Sequence, residues 1–133
     1  MTPPFPEYVS GHSMFSAAAA RVLKEFAGSD YFGHAVTIDP GSSRVEPGQV
    51  PATPVTLKWK TFSDAADEAG ISRRYGGIHF VEGDLRSRKM GKQIGHQAWR
   101  KAVAYFNGTV GTPWDSSVRS HREDEAEDLS EEK

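Results

Sequence analysis

The sequence predicts a mainly α protein, a helical bundle with a short β-hairpin excursion. Three observations carry that expectation. Residues 11 to 27, "GHSMFSAAAARVLKEFA", place Phe15, Ala18, Ala19, Val22 and Phe26 at helical spacing on one face. Two later stretches, 64–75 and 85–106, read as helices between turn signals. Only residues 34 to 60 lean towards strand, where "HAVTID" and "PVTLKW" flank the Pro- and Gly-rich "PGSSRVEPGQVPATP".

Each element has its own start and stop. Ser10 is the expected N-cap of the first helix and Gly28 its stop. The β-leaning stretch is too short for a large sheet and predicts a hairpin or an extended excursion. Ser63 is the expected N-cap of the second helix, "DAADEAGISRRY", whose acids lie in the first turn and which Gly76 and Gly77 end. Asp84 is the expected cap of the third helix, over 85–106, with Met90, Ile94, Ala98, Ala102 and Tyr105 or Phe106 on its apolar face. No internal repeat is visible. These elements define a helical domain over 1–110. Residues 111–133 read as a disordered acidic tail. Its last part, "RSHREDEAEDLSEEK", holds seven of the 18 acidic residues with one leucine and no aromatic residue, too little to offset the entropy of ordering.

Composition narrows the function classes. There is no cysteine, hence no disulfide framework, thiolate nucleophile or cysteine zinc site. No run of about 18 apolar residues is present to span a membrane, and "MTPPFPEY" lacks the pattern of a signal peptide. The expectation is a soluble protein, cytoplasmic by default. Removing the three basic and seven acidic residues of 119–133 from totals of 16 and 18 leaves 13 against 11 in residues 1–118. That mildly cationic remainder suits a small anionic ligand and falls short of a nucleic-acid footprint. The alanine-rich first helix buries little area per residue. It predicts close approach by other helices, some of them contributed from outside this chain.

Two polar clusters carry candidate chemistry. Ser10, Gly11 and His12 stand at the mouth of the first helix, where unpaired N–H groups and the helix dipole favour an anion. In "ISRRYGGIHFVEGD", Arg73 precedes His79 by six positions across a Gly-Gly turn. An arginine fork, a hydroxyl, a backbone N–H and two imidazoles form the parts of an oxyanion cradle. Taken singly, each has a structural reading: an ordinary helix cap, solvated helix-end charges at Arg73 and Arg74, and a buried, satisfied His79. His34 and His96 show no partner pattern and read as structural.

Taken together, "YVSGHSMFSAAAA" and "SRRYGGIHF" resemble the last two signature blocks of the vanadium-dependent haloperoxidases, shared with the type 2 phosphatidic acid phosphatase superfamily. The blocks are Pro-Ser-Gly-His, and Ser-Arg followed after five residues by His. The resemblance runs over about residues 3 to 106, and "YGGIHF" is closer to the soluble bacterial haloperoxidase branch. It implies a partial helical bundle of the haloperoxidase and acid phosphatase type, with vanadate as cofactor and phosphate as competitor. His79 would ligate vanadium, or act as the phosphorylated nucleophile of a phosphatase. His12 would be general acid/base. Ser10, Gly11 N–H and Arg73 would bind the oxyanion, and Phe5 would lie near the halide site. The implied partners are hydrogen peroxide and a halide, or a phosphate ester. Three departures accompany the resemblance. Val9 replaces the usual proline. Gly83 stands where the family commonly has Asp, and Asp84 follows it by one. The family's upstream Lys and Arg-Pro block has no counterpart, so an active protein is expected to need a complementary N-terminal segment or a homo-oligomer. Without one, the chain would be a non-catalytic oxyanion-binding fragment.

Overall fold

Helix α1 (Gly11–Ala27) starts where Ser10 is extended and stops at Gly28, whose φ of 65° is the left-handed conformation that ends helices. A computed structural model describes residues 3–110 and gives the order α1, β1 (Tyr31–Ile38), β2 (Val55–Thr61), α2 (Phe62–Tyr75), α3 (Val81–Phe106). The acidic tail expected from residue 111 lies outside the described residues.

The excursion is a two-stranded antiparallel hairpin, His34 opposite Trp59 and Ile38 opposite Val55. Its register slips between Tyr31 and His34, where Gly33 takes φ 62°, so one extra residue is accommodated in β1 as a bulge. β2 runs directly into α2. The cap there is Thr61 rather than Ser63: Thr61 accepts from the Asp64 N–H, and the Asp64 carboxylate accepts from the Thr61 N–H, a capping box. The Ser63 hydroxyl instead donates to Asp30 at 2.7 Å, tying α2 to the turn before β1. Asp84 does not cap α3 either. The helix begins at Val81, and Asp84 lies inside its first turn, fully buried.

The chain divides into two compact units at Arg100/Lys101. In the first, the helices meet through small residues. The buried residues of α1 are Ser13, Ala17 and Ala20, those of α2 are Ala66 and Gly70, and those of α3 are Gly83, Asp84, Ser87, Arg88, Gly91 and Gly95. Gly83, Ser87, Gly91 and Gly95 recur every four residues, a stripe along one helix face. A Cβ on Gly91 would collide with the Met14 carbonyl and stand 3.0 Å from the Ala17 Cβ; one on Gly95 would collide with the Ala18 carbonyl. The backbones of α1 and α3 are therefore in contact. The apolar faces expected for both helices are corrected accordingly. Phe15 is 71% and Phe26 76% exposed, Ala19 and Ala98 are exposed, Ala18 and Val22 are half-buried, and Ile94 is 44% exposed. Phe26 packs edge-on against Trp99. In the second unit, the last turn of α3 places the Lys101 ammonium 5.2 Å from the Tyr105 ring centre, and the Thr109 N–H closes on the Ala104 carbonyl.

Two expectations follow. Gly91→Ala gains about 1 kcal/mol of helix propensity but drives a methyl into the Met14 backbone. Overpacking of this kind costs about 1–3 kcal/mol, so the variant is expected to melt below wild type; an unchanged or raised Tm would show that α1 and α3 can separate freely. The only buried apolar side chains among the described residues are Ala17, Ala20 and Ala66, while aromatic rings face outward. Apolar surface of that extent seeks cover. The isolated chain should bind the dye ANS and show a concentration-dependent sedimentation coefficient, and a strictly monomeric, dye-silent sample would contradict this.

Candidate functional site

The segment before α1 crosses the loop from α2 to α3, and there Phe5 and Glu7 meet His79. The Ser10 N–H donates to the Ser87 hydroxyl at 2.9 Å, which fixes the start of α1 against the second turn of α3. Residues 5 to 8 then run beside His79. Phe5 stacks on the His79 ring, centres 5.7 Å apart and planes 26° from parallel. The ring is buried, and its Nδ1 lies 2.6 Å from the backbone carbonyl of Glu7. A carbonyl only accepts, so Nδ1 is the donor and carries the proton. In the neutral ring Nε2 then holds the lone pair.

Glu7 makes a second contact that sequence reasoning missed. Its carboxylate accepts the Phe80 N–H at 2.9 Å and lies 3.7 Å from His79 Nδ1. The space it occupies is the space a side chain on Gly83 would need, since a Cβ there would overlap the carboxylate. Glu7 thus fills the space left free by the missing side chain of Gly83.

The remaining candidates are placed individually. Ser10 is fully buried, and its hydroxyl lies 2.7 Å from that of Ser13. Ser13 donates its own proton to Asp84 Oδ1 at 2.7 Å, so Ser10 is the donor to Ser13. In this arrangement the Ser10 proton is committed to the interior. Gly11 and His12 form the first turn of α1, whose leading N–H groups have no intrahelical acceptor. The His12 side chain is exposed. Arg73 lies in the last turn of α2, half-buried, with its Nε donating to the Ser72 hydroxyl at 3.0 Å and no carboxylate partner among the described residues. No hydrogen bond or ion pair joins His12 or Arg73 to His79 among the described residues.

Beneath these groups lies a buried ionic network. Arg88 Nε and a terminal guanidinium nitrogen donate to the two Asp84 oxygens at 2.7 and 2.6 Å, and Arg88 also pairs with Asp67 of α2 at 2.9 Å. Arg74 is exposed, as expected, and also approaches Asp84 to 3.6 Å. Gly70 makes this possible, because a Cβ there would stand 2.8 Å from the Arg88 Nε and collide with Asp84. Burial alone would push the Asp84 carboxyl up, but hydrogen bonds from Arg88 and Ser13 and the charges of Arg88 and Arg74 outweigh it and hold the pKa below the ordinary carboxylate value. His34 stacks on Trp59, and His96 joins the Arg21–Glu25 pair, its Nδ1 3.1 Å from Glu25. Both are tied into the fabric of the fold.

This is a helical bundle of the vanadium haloperoxidase type. Residues 1–108 match the VCPO second helical-bundle domain, and the chain belongs to that family. Among solved structures it is similar to a bacterial vanadium-dependent chloroperoxidase in its apo and holo forms, each at 28% identity and TM-score 0.71 over 74% of this chain. It is also similar to a bacterial vanadium-dependent iodoperoxidase, at 40% identity and TM-score 0.52 over 72% of this chain. The chain spans 21 to 22% of the length of those proteins. No curated protein matches it. Among the described residues no helix is long and apolar enough to cross a membrane.

The lowered Asp84 pKa has a signed consequence. Between the folded value and the ordinary value near 3.9, the unfolded chain binds the extra proton, so stability rises with pH there. The contribution is complete above about pH 4 and is lost as pH falls through the lowered value. Asp84→Asn leaves Arg88 buried with only Asp67 and is expected to cost about 3 kcal/mol near neutral pH, with a flatter acid limb in urea titrations between pH 2 and 5. Equal stability at pH 7 would show that the network contributes nothing net.

Proposed function

We propose that this chain forms part of the vanadate-binding site of a haloperoxidase, with His79 as the ligand. The observation that carries the reading is the Nδ1 hydrogen bond to the Glu7 carbonyl, which leaves the neutral ring with its lone pair on Nε2. Metal-binding imidazoles characteristically donate their other ring N–H to such an acceptor. The burial of the ring and its stacking on Phe5 hold that orientation. Residues and group therefore fit.

When bound, vanadate supplies Lewis-acid activation of hydrogen peroxide for oxygen transfer to a halide. The chain's residues do the rest. His79 would hold the vanadate through the Nε2 lone pair. Arg73, half-buried at the end of α2, offers forked N–H donors to the oxyanion. The Gly11 N–H at the start of α1 adds a donor where the helix dipole favours negative charge. Ser10 acts mainly through its backbone bond to Ser87, which places that helix start. His12, on the first turn, would hold or release a proton beside the bound anion, and Phe5 would border the halide position. Phosphate, tetrahedral like vanadate, competes for the same donors. The full reaction calls for further cationic donors from a complementary N-terminal segment or a second copy.

Isothermal titration with orthovanadate, with phosphate as competitor, tests the reading on wild type, Arg73→Ala and His79→Ala. A charge-assisted bond to arginine contributes about 1.5–3 kcal/mol, so Arg73→Ala should bind about one to two decades more weakly, and His79→Ala should lose the metal-ligand contribution. Equal affinity in all three proteins, or none in wild type, sinks the proposal. In a reconstituted peroxidase, His12→Ala should lower halide-oxidation turnover about 10²–10⁴-fold with vanadate affinity little changed.

A further inference from the structure

We infer that the Glu7 carboxylate is a positioning residue for His79, supplied by the segment before α1 to a ring that stands at the start of α3. The inference builds on the reading of His79 as a ligand, but its first measurement needs no vanadate. Three features of geometry converge on it. The backbone carbonyl of Glu7 receives the Nδ1 proton at 2.6 Å. The same residue's carboxylate anchors on the N–H of Phe80, the residue next to His79, at 2.9 Å. That oxygen also stands 3.7 Å from Nδ1, on the side of the ring that carries the proton. One residue thus holds the imidazole from its own main chain and holds the neighbouring peptide from its side chain.

The arrangement depends on Gly83. Any side chain at that position would overlap the carboxylate. Glycine therefore opens a slot in the first turn of α3, and Glu7 enters it from another part of the chain. A backbone carbonyl alone can accept the Nδ1 proton, but only while residues 5 to 8 stay seated. The bond to Phe80 seats them. The negative charge beside Nδ1 further favours the tautomer with the proton there, which is the one that leaves Nε2 able to bind a metal.

The test is the tautomer of His79 in the 15N-labelled chain. Long-range 1H–15N correlation spectra are recorded above the pH range in which imidazole protonates, with His79 assigned from the His79→Gln spectrum. Wild type should show a protonated Nδ1 and a lone-pair Nε2. Glu7→Gln keeps an oxygen for the Phe80 N–H and removes the charge, so its His79 signals should move towards a mixture of tautomers. Gly83→Ala keeps Glu7 but takes its slot, and should move the same signals in the same direction. An unchanged His79 spectrum in Glu7→Gln overturns the inference; if that variant does not fold, Gly83→Ala decides in the same way. Titration with orthovanadate is the second readout, where Glu7→Gln should bind about tenfold or more weakly, the usual cost of removing a residue that orients a metal ligand. A wild type that does not bind vanadate, with a tautomer that still responds to Glu7→Gln, defeats the proposed function and leaves this inference standing.

Discussion

The packing of this chain depends on one buried carboxylate. Asp84 is fully removed from solvent on α3, yet it accepts from Ser13 of α1, is bridged twice by Arg88 and is approached by Arg74 of α2. Taking a carboxylate and a guanidinium out of water costs several kcal/mol per ion unless both are paired and hydrogen-bonded. Asp84 is, because three helices bring it partners. Glycine at position 70 lets α2 come close enough, and Arg88 reaches onward to Asp67. The requirement that this carboxylate be satisfied selects the arrangement in which α1, α2 and α3 share one end. A slip of α1 would cost it the Ser13 bond and a slip of α2 the Arg74 charge, leaving it only Arg88 of its own helix.

That clasp explains why the packing surfaces are small. Helices whose backbones touch cannot also place leucine or phenylalanine between them. The stripe's Gly91 and Gly95 lie against Met14, Ala17 and Ala18 of α1, and the large apolar side chains are turned elsewhere. Attraction between such faces comes from dense contact and hydrogen bonds more than from apolar area, as where small residues let membrane helices approach. The rings of Phe15, Phe26 and Tyr75 are left exposed, and the chain spans about a fifth of the length of the proteins it resembles.

Much of the fold could be read in the sequence, and the failures share one cause. The three helices, the hairpin and the first helix's limits follow from propensity, turn residues and Gly28. The buried faces do not, because the larger apolar residues at helical spacing, Met90, Ile94 and Ala98, mark a different face of α3 from the one that packs. The signal that mattered was the four-residue spacing of Gly83, Ser87, Gly91 and Gly95. Asp84 was misread for a related reason: an acid near a helix start usually caps it, whereas here three elements converge on the carboxylate. The motif "SGH" and the pair Arg73 and His79 pointed to the family. Glu7 had no such signal, since its role comes from a glycine 76 positions away.

The same geometry links the fold to the candidate chemistry. Ser10 stands between the two: its N–H holds Ser87 and its hydroxyl leads through Ser13 to Asp84. The start of α1, with Gly11 and His12, is therefore set by the buried network. Arg74, which approaches Asp84, is the next residue after Arg73, so the end of α2 is referred to the same carboxylate. His79 is held by a different device, the segment from Phe5 to Glu7. That segment is continuous with Ser10, and Gly83, which makes room for Glu7, is continuous with Asp84. Groups proposed to hold one anion are thus registered to one another through two short stretches of chain, 5–13 and 79–88. An oxyanion site demands that kind of common frame, because donors on independently moving helices would have to be ordered anew by each ligand.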